Sequence, residues 1–427
     1  MIRLRTAVRV MPAFWFAIPI AIFAGWYATL LHPSDGYAVG ATAAGTATLA
    51  FVGPFCAACA AWEGSRLRRA RLWNAPSVRS RATIAFSALL PVVLVGLGAV
   101  LVAIAVELVR AGAGLPDLRL IAMTALDLVA LSVAGFAAGI LLPFAVAGPL
   151  AIVASFIWLA FIPAIQPVWL RHLTGMFRDC CGLAQDLAPR AVIASSIVDL
   201  GIIGAAALMI AGPALVARRV GSALATLAVA GVAGVLLVEG MTFAPTIPRD
   251  TALLECRTDR GITVCTWPEH RARAAEVARI VASVRAGWQN ASIDAPSLFT
   301  EADPTVAPPG ALAFRFIGVS YTEDDIISAL AAGMLPADPD CPGGGSTGAV
   351  AFEYLQAWYA AAGGMTADGL RERYDYPMGG DSYPEIMTVV HQLQAATPDS
   401  RRAWMSDAVM LSQFCDEWRV ELITVRP

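Results

Sequence analysis

The sequence predicts an α-helical polytopic membrane bundle of about seven spans followed by an α+β domain, and three observations carry that prediction. Of the 427 residues, 57% are hydrophobic and only 15% are charged, which excludes a disordered chain and points to the bilayer. The apolar residues gather into runs that can cross a hydrocarbon core at about 1.5 Å per residue, all of them within residues 1–245. Residues 246–427 have instead the mixed composition of a water-soluble domain.

Charge removes several functions. A net charge of −3 gives no footprint for a nucleic acid. The thirty basic residues are all arginine, and the chain has no lysine. A standard P-loop needs a lysine on the nucleotide phosphates, so this chain carries none. Any ATP-driven step would need a second polypeptide. No cofactor motif is present.

In chain order, Arg3, Arg5 and Arg9 precede the first apolar run, residues 14–31. That start resembles a signal peptide, but no A-x-A site follows, so a retained helix is expected. The second run, 38–62, is rich in Gly and Ala, which lets helices approach closely. Its Cys56 and Cys59 have a C-x-x-C spacing but no nearby His and no βαβ unit, and are expected as buried thiols. Residues 63–81 form the most basic loop, with Arg66, Arg68, Arg69, Arg71, Arg79 and Arg81 between the interfacial anchors Trp62 and Trp73. Further runs lie at 82–106, 120–142, 144–165 and 191–216; Arg218 and Arg219 precede the last, 222–241. Gly135 and Gly139 make a G-x-x-x-G packing face.

Loop arginines concentrate at the amino terminus, in 63–81 and at Arg218 and Arg219, and are sparse in the alternate connections. The positive-inside rule therefore puts the amino terminus in the cytoplasm, and seven crossings put the tail outside a cell membrane. Cys180, Cys181, Cys256, Cys265, Cys341 and Cys415 all fall in segments so assigned outside, where disulfides persist.

Four acids lie in or at the ends of apolar runs: Glu107, Asp127, Asp199 and Glu239. Asp127 and Asp199 are expected about 12 Å below the outer surface and Glu107 and Glu239 nearer it, with no arginine at the depth of any of the four. An ionisable group there costs on the order of 3 kcal/mol, which makes a polar pathway the functional reading. The plainer reading is that each is protonated or bonded to Thr124, Ser132, Ser195 or Ser196.

The layout resembles the membrane subunits (permeases) of bacterial ABC exporters. The resemblance rests on the long apolar helices, the basic loop after the second, and the Gly139-Ile140-Leu141-Leu142-Pro143 to Ala147-Gly148-Pro149 turn. It covers roughly the first half of the chain. It implies a transport subunit working as a homo- or heterodimer in membrane lipid with a separate ATPase, docked through Arg66, Arg68, Arg69 and Arg71. The chain departs from that family in a short amino-terminal segment, a seventh span and a large tail. The tail's Cys256 and Val264-Cys265-Thr266-Trp267-Pro268-Glu269-His270 resemble an uncharacterised domain of such proteins in actinobacteria, with no activity attached.

In the tail, two strands around Arg260-Gly261 would set Cys256 opposite Cys265 if the turn has two residues. Cys341 and Cys415 are left to pair with each other; Cys180 and Cys181 could bridge, stay reduced or reach the tail. Pro268 is expected to start a helix to about residue 291, followed by a strand at 313–319 and a helix capped by Thr322 and Asp325. Two further helices, at 350–362 and 384–396, precede the segment 399–415, and a strand at 419–425 closes the domain. H-E-x-x-H is absent, Gly343-Gly344-Gly345-Ser346 is a loop and not a nucleophile elbow, and no catalysis is expected. The sequence therefore favours a transport subunit. A membrane-anchored binding or assembly protein is the alternative, and a membrane hydrolase comes third.

Overall fold

Each long helix of the amino-terminal half starts and stops where its flanking residues dictate. The computed structural model describes residues 11–31, 36–71, 73, 80–210, 216–315, 321–336, 348–374 and 382–413. The chain divides into two compact units, Met1–Ile247 and Pro248–Pro427.

In the first unit α1 is Ala17–Thr29, α2 Ala38–Thr46, α3 Leu49–Arg69, α4 Arg81–Ala111, α5 Leu118–Leu141, α6 Phe144–Phe156, α7 Pro189–Ile210 and α8 Val216–Val238. The Ser80 hydroxyl caps α4 by accepting the Thr83 N–H at 3.2 Å, and Gly112 ends it at φ +62°. Asp117 caps α5, accepting from the N–H groups of Arg119 and Leu120. Pro143 separates α5 from α6, because it can start a helix but not continue one.

Among the described residues, five helical segments are long and apolar enough to cross a membrane: Arg81–Ala111, Leu118–Leu141, Phe144–Ala164, Pro189–Ile210 and Ala217–Val238. The pair α2 and α3, bent by 46° between them, makes a sixth if it is one span. The first apolar run is broken at Phe16 into a turn, Pro12–Trp15, and the 13-residue α1. Two boundaries move from their sequence positions. Helix α3 continues through Arg69, held by an i,i+3 pair of Arg66 with Glu63, so those arginines occupy a last helical turn. Arg218 and Arg219 likewise lie inside the first turn of α8.

Close packing of α3 on α5 organises this unit. A Cβ at Gly135 would lie 2.2 Å from the Ala57 carbonyl oxygen, and one at Gly139 only 2.1 Å from that of Ala61. From the other side, a Cβ at Gly64 would meet the Phe136 carbonyl at 2.3 Å. The G-x-x-x-G is therefore a packing face, as its spacing suggests.

In the second unit β1 (Glu255–Asp259) and β2 (Ile262–Thr266) form an antiparallel hairpin, and β3 (Leu298–Thr300) and β4 (Leu312–Ala313) add in parallel in the order β1-β2-β3-β4. Arg260 and Gly261 turn the hairpin at φ +49° and +79°, the two-residue geometry. Cys256 then stands opposite Cys265, and the two form a disulfide. Pro268 opens a 3₁₀ turn to Arg273, and the α-helix α9 runs Ala274–Asn290. Its buried stripe Val277, Ile280, Val281, Val284 and Trp288 meets Phe299 of β3 in one core with α10 (Glu323–Gly333), α11 (Gly348–Ala362), α12 (Ala367–Tyr374), α13 (Ser382–Ala395) and α14 (Pro398–Ser412). Thr322 and Asp325 close the expected capping box on α10. Helix α12 has no counterpart in the sequence reading. The 313–319 strand is reduced to β4 within the described residues. Cys341, Cys415, the Gly343–Ser346 loop and the 419–425 strand lie outside the described residues.

Candidate functional site

Asp127 sits on the face of α5 that carries Leu120, Thr124, Leu131 and Gly135, at helical spacing. Asp199 occupies the matching face of α7, with Ala191, Ser195 and Ala206. Those two faces pack together, and the acids come within hydrogen-bonding reach of each other. They are 2% and 3% exposed, and the Oδ2 atom of each has no partner among the described residues. Of the expected serine partners, Ser195 donates to the Ala191 carbonyl at 3.0 Å and Ser196 to that of Val192 at 2.7 Å, whereas the buried Ser132 hydroxyl has no partner among the described residues.

The connection between α6 and α7 covers the pair. Gly175, at φ +72°, lies against Asp127 so tightly that a Cβ there would stand 2.2 Å from Oδ1. The segment is pinned on either side of that glycine. Before it, the His172 Nε2–H donates to the Thr242 carbonyl at 2.9 Å, which fixes the tautomer, and Arg171 pairs with Asp179 and lies 3.5 Å over the Phe243 ring. After it, Cys180 and Cys181 are bonded to each other. Burial pulls the His172 pKa below its ordinary value against the opposing Thr242 hydrogen bond, and burial also lowers that of Arg171. Nothing in the sequence marked Gly175; a glycine in a connection has no periodicity to place it.

The other two acids lie apart from this pair. Glu107 is fully buried but paired with Arg110 at 3.1 Å, so the expectation that no arginine shares its depth fails there. One helical turn separates the two on α4, enough for the guanidinium to reach back. Arg110 also donates to the carbonyls of Ala28 and Leu31, closing the end of α1. Glu239 is exposed just beyond α8. Of the basic set, Arg66 is taken up by the buried Glu63, whereas Arg68, Arg69 and Arg71 are exposed, with Arg69 over the Trp62 ring at 5.3 Å.

In the second unit the buried Glu301 gathers the corner that follows the hairpin. It accepts the Trp267 backbone N–H at 2.7 Å, meets His270 Nδ1 at 2.6 Å and takes the Trp267 indole N–H on its own carbonyl at 2.9 Å. Glu269 turns outward to Arg249. A separate polar cleft of about 470 Å³ is lined by Arg315, Ser328, Gln356, Asp368, Glu372 and Arg373. Sequence reasoning reached Trp267 and His270 but missed Glu301, which sits at the end of a three-residue strand too short to show alternation.

Among the described residues, no group of three or more His, Cys, Asp or Glu could hold a metal ion. No curated protein and no solved structure matches the chain. Residues 264–415, within the second unit, match the model of a family described as a domain of unknown function, DUF7224.

Proposed function

We propose that this chain is the membrane subunit of a transporter of the permease type, working with a separate ATPase. The observation that carries the reading is the Asp127–Asp199 pair, two buried acids set together between apolar helices. Such groups are expensive in a bilayer and are kept where a polar species must pass or be held. In this reading α1 with its preceding turn makes the seventh crossing. The amino terminus is then cytoplasmic and the second unit extracytoplasmic. The partner ATPase docks at the arginine-rich end of α3.

The decisive comparison is genetic. A strain deleted for the gene, screened for growth defects under chemical challenge, should be restored by wild-type protein. Asp127→Asn and Asp199→Asn should fail to restore it at equal membrane abundance. Asparagine keeps hydrogen-bonding capacity while losing the charge, so full restoration by both variants would remove the transport reading. The polar cleft of the second unit favours the other reading, a membrane-anchored binding protein. In that case Asp368→Ala and Arg373→Ala would abolish the phenotype while both Asn variants kept it.

A further inference from the structure

Asp127 and Asp199 are brought to hydrogen-bonding reach with no cation among the described residues paired to either. A carboxylate has no donor, so two carboxyl groups that bond each other must hold a proton between them. Two bare charges at this separation in an apolar bundle would repel strongly and lose their hydration as well. The charged groups of the packed elements are engaged elsewhere or lie at helix ends. On α3 Glu63 holds Arg66, and on α4 Glu107 holds Arg110. Arg119 at the start of α5 pairs with Asp117 and Asp186. In the covering segment Arg171 holds Asp179 and His172 engages Thr242. Arg190 opens α7, Arg218 and Arg219 open α8, and α2 and α6 carry no charged residue.

We propose that the Asp127–Asp199 pair is a proton-binding site inside the membrane unit, enclosed by Gly175, that exchanges one proton with water. The two protons are not equivalent. One lies in the hydrogen bond between the carboxyls, where the remaining anion shares it. The second lies outside that bond, with no acceptor for it among the described residues, so it is the one released. It passes to a water molecule as hydronium, and the pair changes from neutral to singly negative. Both carboxyls are almost fully buried and Gly175 lies against Asp127, so water reaches the pair when the surrounding segments move. The pair thereby links a proton to a conformation. This inference deepens the transport reading by naming a coupling ion, yet its test stands apart from transport.

The test is infrared difference spectroscopy on the full chain in lipid nanodiscs, following the carbonyl stretch of protonated carboxyl groups as pH is raised. Wild-type protein should show such a band near neutral pH, with a portion that bleaches on titration. The double variant D127N/D199N should lose that portion, and each single variant should shift its midpoint by about one pH unit or more. Glu63→Gln and Glu107→Gln should leave it in place. Absence of the band from wild type would overturn the proposal without reference to any variant. A titrating band that survives in D127N/D199N would overturn it equally. A band that behaves as expected, with both single variants restoring the deletion strain, would keep the proton site and remove the transport reading.

Discussion

His172 keeps its ring inside the protein and spends its Nε2–H on the Thr242 carbonyl. Burial holds its pKa below the ordinary 6.5. As pH falls through about 6.5, the unfolded ring takes up a proton before the folded one does, so stability held at neutral pH drains away until the folded pKa is passed. The loss should appear first in the segment the ring anchors. Amide exchange across residues 168–176, corrected for intrinsic rate, should be faster at about pH 5.5 than at about pH 7.5. In His172→Gln that pH dependence should vanish; if it persisted, another group would control the segment.

At the scale of elements, the α3–α5 contact depends on three missing side chains. Replacing Gly135 or Gly139 by Val would press a side chain into a backbone carbonyl that cannot turn aside, and overpacking of this kind costs roughly 1–3 kcal/mol or more. Gly98, on α4, has no atom within 4 Å of its Cβ position, and Gly98→Ala should gain roughly 0.5–1 kcal/mol of helix preference. Thermal denaturation in detergent should separate the two classes, and equal melting temperatures would refute close packing. The arginine-rich end of α3 gives a second test. Replacing Arg68, Arg69 and Arg71 by Ala should abolish copurification of an ATPase while insertion survives, and unchanged copurification would leave the arginines as topology signals.

Local patterns made much of this legible. Gly-x-x-x-Gly, the Thr322–Asp325 cap and the Arg260-Gly261 turn each work within a few residues, so the sequence displays them whole. Asp127 and Asp199 were visible singly, as acids in apolar runs. Their meeting depends on how α5 and α7 are rotated against each other, which near-uniform apolar helices do not encode. Glu301 and Gly175 matter only through partners distant in the chain.

For the molecule as a whole, the arginine asymmetry makes a claim about sidedness. Alkaline phosphatase fused after Pro427 should be active, and fused after Arg219 inactive. Activity at both points, or an inactive carboxyl-terminal fusion, would remove one crossing and the outward placement of the Cys256–Cys265 bridge with it.

The guanidinium of Arg110 answers the carbonyls of Ala28 and Leu31 from 82 and 79 residues further along the chain. During synthesis α1 therefore leaves the ribosome without the group that finishes it. At 13 residues it is also too short to settle by its own apolar length. Its end is completed only after α4 has been made and has turned Arg110 back toward it. Helix α1 is thus made before the group that secures it, and any chain cut short before residue 110 leaves the insertion machinery holding an unfinished segment.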